Sequence, residues 1–264
     1  MRNLLAAIKV IAFPVCTLLV YLVYAFILIF YMLFNKPYEP LRNICMSIWG
    51  KVTAKIFSMK IETEGVPPEP PFFIVSNHLS YIDIAVYAAV LKTTFVSKME
   101  VKHWPVVGFM ARTLGIIFID RKKRSDVHRV NEEISSQVND RQGVILFPEG
   151  TTSPGTKIMR FRPALLQYAA EEGVSVSYSA IRYQTTEKDQ SAHLSVCWWG
   201  DKPMLKHLFM MGKNRSIEAA IRFGEDRVKH HDRKKLAKKL QKSVEKIFVP
   251  VIEQPDENFE PLQF

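Results

Sequence analysis

The residues in this 264-residue chain best suited to chemistry are a histidine and an aspartate five positions apart, His78 and Asp83, within Asn77-His78-Leu79-Ser80-Tyr81-Ile82-Asp83. A neutral imidazole takes a proton from a hydroxyl, while a buried carboxylate fixes its tautomer and steadies the imidazolium that forms. On one regular helix the two side chains would stand about 140° apart. They meet only if His78 precedes a helix and the chain bends before Asp83. The flanking runs fit that geometry, since residues 72 to 75 are apolar and extended in pattern and residues 84 to 91 are helical in pattern. Alone, the spacing is weak evidence, because seven histidines among many acids produce such pairs by chance.

Two further apolar runs end in polar groups in the same way. Gly115-Ile116-Ile117-Phe118-Ile119-Asp120-Arg121 closes on an acid and an arginine, and the run from Val144 to Phe147 enters Pro148-Glu149-Gly150-Thr151-Thr152-Ser153. A guanidinium presents a planar fork of donors to phosphate, so Arg121 is a candidate anion holder. Its plain alternative is a surface ion pair with Asp120 or Glu149. A serine nucleophile at Ser76 or Ser80 is disfavoured, since no G-x-S-x-G elbow is present. Cys16, Cys45 and Cys197 are odd in number and lack C-x-x-C spacing, which argues against a disulfide framework or a zinc site. With no H-E-x-x-H pattern and no Gly-rich phosphate loop, we expect no metal and no bound cofactor.

These stretches need elements to position them. Strands are expected at residues 72 to 76, 94 to 97, 116 to 119, 144 to 147, 174 to 180, 194 to 198 and 217 to 223. Helices are expected at residues 82 to 91, 106 to 113, 126 to 139, 164 to 172 and 230 to 248. Such alternation predicts an α/β domain with a mainly parallel sheet of about seven strands flanked by helices. Ligands of such sheets sit at the carboxyl ends of the strands, where all three polar motifs fall.

Upstream, residues 10 to 34 form a charge-free apolar run long enough to cross a hydrocarbon core of roughly 30 Å. A cleaved signal peptide is the rival, but the run exceeds the usual h-region and no A-x-A-like site follows. Arg2 and Lys9 precede it, whereas Lys36, Arg42, Lys51 and Lys55 follow, which leans toward a cytoplasmic C-terminal side. Residues 41 to 59 carry Ile44, Ile48, Val52 and Ile56 at four-residue steps, an amphipathic helix expected to lie on a membrane rather than merely cap a core. A proline-rich stretch at residues 66 to 71 then leads into the globular part. The expected division is an N-terminal membrane-associated region over residues 1 to 59 and an α/β domain over residues 60 to 264.

The ordered set His-x-x-x-x-Asp, Gly-x-x-Phe-Ile-Asp-Arg and Phe-Pro-Glu-Gly-Thr resembles the glycerophospholipid acyltransferase family, especially the 1-acylglycerol-3-phosphate acyltransferases. The resemblance covers roughly residues 60 to 225. It implies that His78 and Asp83 form the catalytic pair and that Arg121, Glu149, Gly150 and Thr151 bind the phosphorylated acceptor. It also implies a lysolipid acceptor, acyl-CoA or acyl carrier protein as co-substrate, and a bilayer partner at the cytoplasmic membrane. Departures are visible: Thr152 stands where many relatives have arginine, and Phe161-Arg162-Pro163-Ala164 replaces the usual Phe-Lys-x-Gly. Another lysolipid such as lyso-ornithine lipid fits the resemblance equally well, and a non-catalytic lipid-binding scaffold is a further alternative.

The net charge of +10 and the pI of about 9.4 favour an anionic partner. Nucleic acid is disfavoured, because the basic stretches at residues 121 to 124 and 222 to 246 lack interleaved aromatics. A bilayer surface or a solvated helix face suits the second stretch equally.

Overall fold

The computed structural model describes residues 2 to 120 and 126 to 253. The chain begins with helices α1 (Arg2–Leu33) and α2 (Glu39–Ile56), followed by strands β1 (Met59–Glu64) and β2 (Phe73–Ser76). Helix α3 (Asp83–Val90), strand β3 (Thr93–Lys98), helices α4 (Met99–Lys102) and α5 (Val107–Thr113) and strand β4 (Ile117–Ile119) come next. Then follow α6 (Asp126–Gln137), β5 (Gly143–Leu146), a 3-10 turn at Pro163–Leu166 running into α7 (Gln167–Glu171), and β6 (Ser177–Thr185). The chain finishes with α8 (Ala192–Ser195), α9 (Met204–Gly212), β7 (Ile217–Phe223) and α10 (Arg233–Ile247).

The seven strands form one sheet in the order β1-β7-β6-β2-β5-β3-β4. The five from β6 to β4 run parallel, while β7 is antiparallel to β6 and carries β1 alongside it. Side chains alternate across the pleat. Phe73, Val75, Val144 and Leu146 enter one core with α6, α7 and α10, and Ile74, Ile145, Ile181 and Tyr183 enter the other with α2, α3 and α9. Both faces are therefore covered, as parallel strands with near-continuous apolar runs require.

Two expectations need correction. Residues 194 to 198 are not a strand: they lie in α8 and the loop after it, where Val196 and Cys197 are fully buried against the helix layer and Trp198 N–H donates to Leu79 O at 2.8 Å. A short apolar run does not distinguish a strand from a buried loop by periodicity. The seventh strand is β1, which overlaps the expected amphipathic helix at Met59 and otherwise falls where no element is expected. It pairs with β7 from Met59 against Ile217 to Glu64 against Arg222, and its polar side chains reflect an edge strand with one wet face.

Helix α2 is amphipathic, as its four-residue steps predict. One face carries Ile44 and Ile48 outward, but the other buries Met46, Gly50 and Ala54. At Gly50 a β-carbon would lie 2.3 Å from Ala85 O, so only glycine lets α2 and α3 approach this closely. Met46, Ala54 and Phe57 share one core with the sheet residues Ile74, Ile145 and Ile181.

Helix α1 docks along its flank. Arg2 donates to Lys188 O at 2.7 Å, Phe13 meets Phe57 at 5.7 Å between ring centroids, Trp49 donates to Thr17 at 3.0 Å, and Tyr24 donates to Thr113 O at 2.9 Å. From Arg2 to Tyr24 that is about 33 Å of helix at 1.5 Å per residue. The opposite flank leaves Leu18, Leu22, Val23, Phe26 and Phe30 exposed, and Val106, Val107, Phe109 and Leu205 elsewhere extend this apolar surface. Helix α1 is long and apolar enough to cross a membrane, yet it lies against the domain.

Candidate active site

Strand β2 ends at Ser76, and the turn that follows is anchored on both sides. The Asn77 side-chain amide donates to Ile181 O at 3.0 Å and accepts from Ile181 N–H at 2.8 Å, which ties the turn to β6. Ser153 N–H donates to His78 O at 3.0 Å, which ties it to the loop after β5. The chain then turns so that α3 begins at Asp83 itself. His78 Nδ1 lies 2.7 Å from Asp83 Oδ2, so the bend required by the five-residue spacing is present.

The carboxylate is almost saturated. Oδ2 also accepts from the backbone N–H groups of Leu79 at 2.8 Å and Ser80 at 3.1 Å, and Oδ1 accepts from Tyr183 O–H at 2.7 Å. Asp83 is fully buried while the His78 side chain keeps 18% exposure, so the dyad is rigid at the acid and open at the imidazole. With Nδ1 used on the acid, Nε2 remains for an incoming hydroxyl. The ring is held flat against Phe147, with centroids 4.1 Å apart and planes 14° apart.

Glu149 meets the backbone of the histidine turn rather than the ring. It is 2% exposed, and its oxygens accept from His78 N–H at 3.4 Å and Met159 N–H at 3.2 Å. Burial pushes its carboxyl up to about 8 despite those donors, with Asp83 nearby raising it further. Glu149 thus joins the histidine turn to the loop at Met159 and stands away from solvent. A carboxyl that binds its proton more tightly folded than unfolded adds stability below pH 4.5 that is lost as the pH rises through about 8. We expect Glu149→Gln to remove this contribution, so that the melting temperature of the variant gains on wild type between pH 5 and pH 8.5. Parallel melting curves across that range would show that Glu149 is not the titrating group.

Gly150 follows with φ +75°, a conformation glycine adopts without cost. Arg162 lies against it and donates through Nε to Glu149 O at 3.2 Å. Thr151 is half-buried at the same turn. The structure therefore brings His78, Asp83, Glu149, Gly150 and Thr151 together. Arg121 lies outside the described residues. The strand before it, β4, ends three strands from β2, or roughly 14 Å across the sheet.

Sequence reasoning missed Tyr183, Phe147 as a ring support, Asn77 as a clamp, and Arg162 at the glycine turn. Nothing local could have found Tyr183, which stands 100 residues from its partner. Arg162 is visible in the sequence, but nothing local places it against Gly150, twelve residues earlier.

Residues 58–181 match the family model described as Acyltransferase. The chain is 30% identical over 205 residues to the 1-acyl-sn-glycerol-3-phosphate acyltransferase of Neisseria gonorrhoeae, covering 77% of this chain and 80% of that protein. It is also 30% identical over 228 residues to the lyso-ornithine lipid O-acyltransferase of Brucella abortus, covering 81% and 85% respectively. Among solved structures, the 1-acyl-sn-glycerophosphate acyltransferase PlsC of Thermotoga maritima superposes with a TM-score of 0.65 over 93% of this chain and 97% of that one, at 19% identity. At that identity the likeness is one of fold.

Proposed function

The chain belongs to the acyltransferase family that holds 1-acyl-sn-glycerol-3-phosphate and lyso-ornithine lipid acyltransferases, and from that premise we propose that His78 and Asp83 drive transfer of a fatty acyl group to a lysolipid hydroxyl. The observation that carries the assignment is the 2.7 Å contact between His78 Nδ1 and a fully buried, hydrogen-bonded Asp83 carboxylate at the carboxyl end of the sheet.

His78 Nε2 takes the proton of the acceptor hydroxyl as its oxygen attacks the thioester carbonyl. The C–S bond of the tetrahedral intermediate then breaks, and the departing thiolate takes the proton from the imidazolium. Asp83 keeps the Nδ1 tautomer and offsets the positive charge between those two steps. No covalent acyl-enzyme forms. The donor is an acyl thioester on coenzyme A or on acyl carrier protein, and no bound cofactor enters the cycle.

The first acceptor we propose is 1-acylglycerol-3-phosphate, giving phosphatidate. Lyso-ornithine lipid is a second reading, favoured by the uncharged Thr152 and the Brucella relative. Arg121 and Thr151 are proposed on the acceptor side of the site, with Gly150 shaping the turn that admits it, and Glu149 supports that turn from below. Arg162 supplies the guanidinium that Thr152 lacks. We expect Arg162→Ala to raise KM for lysophosphatidate about tenfold, as the loss of one charged hydrogen bond implies, with kcat within about twofold. An unchanged KM would remove Arg162 from the anion site.

The protein is associated with a membrane, and we place the domain on the cytoplasmic side of the inner membrane, where acyl thioesters are made. Helix α1 and the apolar surface around Val106 and Phe109 then rest in the bilayer. The deciding experiment supplies purified protein with labelled oleoyl thioester and, separately, lysophosphatidate and lyso-ornithine lipid. A labelled diacyl product from one acceptor names it; no product from either would refute the reaction and leave a binding scaffold.

A further inference from the structure

Helix α10 reads Arg233-Lys234-Lys235-Leu236-Ala237-Lys238-Lys239-Leu240-Gln241-Lys242-Ser243-Val244-Glu245-Lys246-Ile247. Leu236, Ala237, Leu240 and Val244 are buried against the sheet, so the cations between them point outward. Asp232 starts the helix by accepting from Lys234 N–H at 2.8 Å and Lys235 N–H at 2.9 Å. Among the described residues, none of its six lysines is ion-paired within 4.0 Å to a carboxylate. A row of cations left exposed in this way attracts an acidic surface at long range.

Two observations decide what that surface is. Helix α10 packs on the sheet face that holds α6 and α7, whereas α1 and its exposed apolar flank belong with the opposite face. The basic row therefore points away from the side that meets the bilayer. It also leads to the reacting centre: Gln241 accepts from Phe161 N–H at 3.2 Å, and beyond the helix Val251 N–H donates to Gly155 O at 2.8 Å. A β-carbon at Gly155 would lie 3.2 Å from Leu79, the neighbour of His78. Lys157 and Arg160 are both exposed on this loop.

We propose that the exposed lysine face of α10 docks the acidic surface of a carrier protein that presents the acyl thioester, so that donor and lipid acceptor reach His78 from opposite faces of the sheet. The proposal rests on the acyl-transfer reading above and adds the partner to it. The row runs about 18 Å along the helix from Lys234 to Lys246, an extended field suited to a protein surface rather than to the compact phosphates of coenzyme A. Its composition agrees: lysine offers point charges that steer encounter, where a phosphate clamp would favour the arginine fork.

The test uses the full chain in detergent micelles, comparing wild type with Lys238→Glu/Lys242→Glu/Lys246→Glu. The ratio of kcat/KM for palmitoyl–acyl carrier protein to that for palmitoyl-CoA is expected to fall at least about tenfold, and the wild-type carrier rate to fall steeply with added salt. A ratio unchanged by the substitutions would overturn the proposal, as would equal losses with both donors. Fluorescence anisotropy of labelled acyl carrier protein, without acceptor, tests docking apart from turnover: wild type binds and the variant does not, and equal binding would also overturn it. Should wild type turn over neither donor, the acyl-transfer reading falls and the anisotropy alone decides the docking face. Lost flotation with phosphatidylglycerol vesicles at an unchanged donor ratio would assign the row to the bilayer instead.

Discussion

Replacing His78 with alanine is expected to lower kcat for lysolipid acylation about 10³-fold, within the range by which general base catalysis accelerates proton transfer. A lysolipid hydroxyl holds its proton far too tightly to attack a thioester unaided at neutral pH. Binding should survive, because the imidazole contacts the rest of the protein through Asp83 and the face of Phe147. The KM values for both substrates are therefore expected to stay within about threefold. The fold should also survive, since the turn is held by backbone bonds from Ser153 and by the Asn77 clamp rather than by the ring. Initial rates with labelled thioester, set beside a thermal melt, check this directly. A variant retaining more than about a tenth of wild-type kcat would exclude His78 as the base.

Asp83→Asn carries the second large effect, and its signature differs. The carboxylate accepts from His78, Leu79 and Ser80 through one oxygen and from Tyr183 through the other. An amide keeps one acceptor and turns two N–H donors toward groups that are themselves donors. If its oxygen stays with the turn, the NH₂ faces the Tyr183 hydroxyl, which can rotate to accept. If it is reversed, three donors lose their partner. In either orientation the imidazolium loses its counter-charge, so kcat is expected to drop about 10³-fold. Asp83 is fully buried, so mismatched donors also cost stability, about 1–3 kcal/mol for one unsatisfied group. Tyr183→Phe separates the two effects: it removes a single donor, keeps the charge, and should cost kcat no more than about tenfold. Asp83→Asn with near wild-type kcat would break the dyad assignment, whatever its melting temperature.

Both substitutions probe a feature that could be read before any fold was known. The five-residue interval between His78 and Asp83 demanded a bend and a helix beginning near the aspartate, because a continuous helix would have parted the two side chains. Five of the seven strands were legible within a few residues for an equally local reason: Val, Ile and Phe runs buried on both faces need no knowledge of neighbours. Strand β6 was read too early, beginning at Ser177 rather than at residue 174. Strand β1 was not legible, because an edge strand with polar side chains on one face carries little apolar pattern. The stretch at residues 194 to 198 was misread because burial under a helix layer and burial in a sheet select the same apolar residues.

The sequence by itself determined the contact between His78 and Asp83, the order of the three motifs, the α/β alternation and an apolar N-terminal helix, since each depends on residue type and on separations of a few positions along the chain. Only the tertiary structure decided what surrounds the pair. Tyr183 reaches Asp83, Phe147 lies under the imidazole, Glu149 is buried beneath the histidine turn, α2 packs at Gly50 onto α3, and the lysines of α10 face away from α1. Each of these joins residues far apart in the chain, and such pairings follow from strand order and from which face of the sheet a side chain enters. Neither is encoded in local spacing.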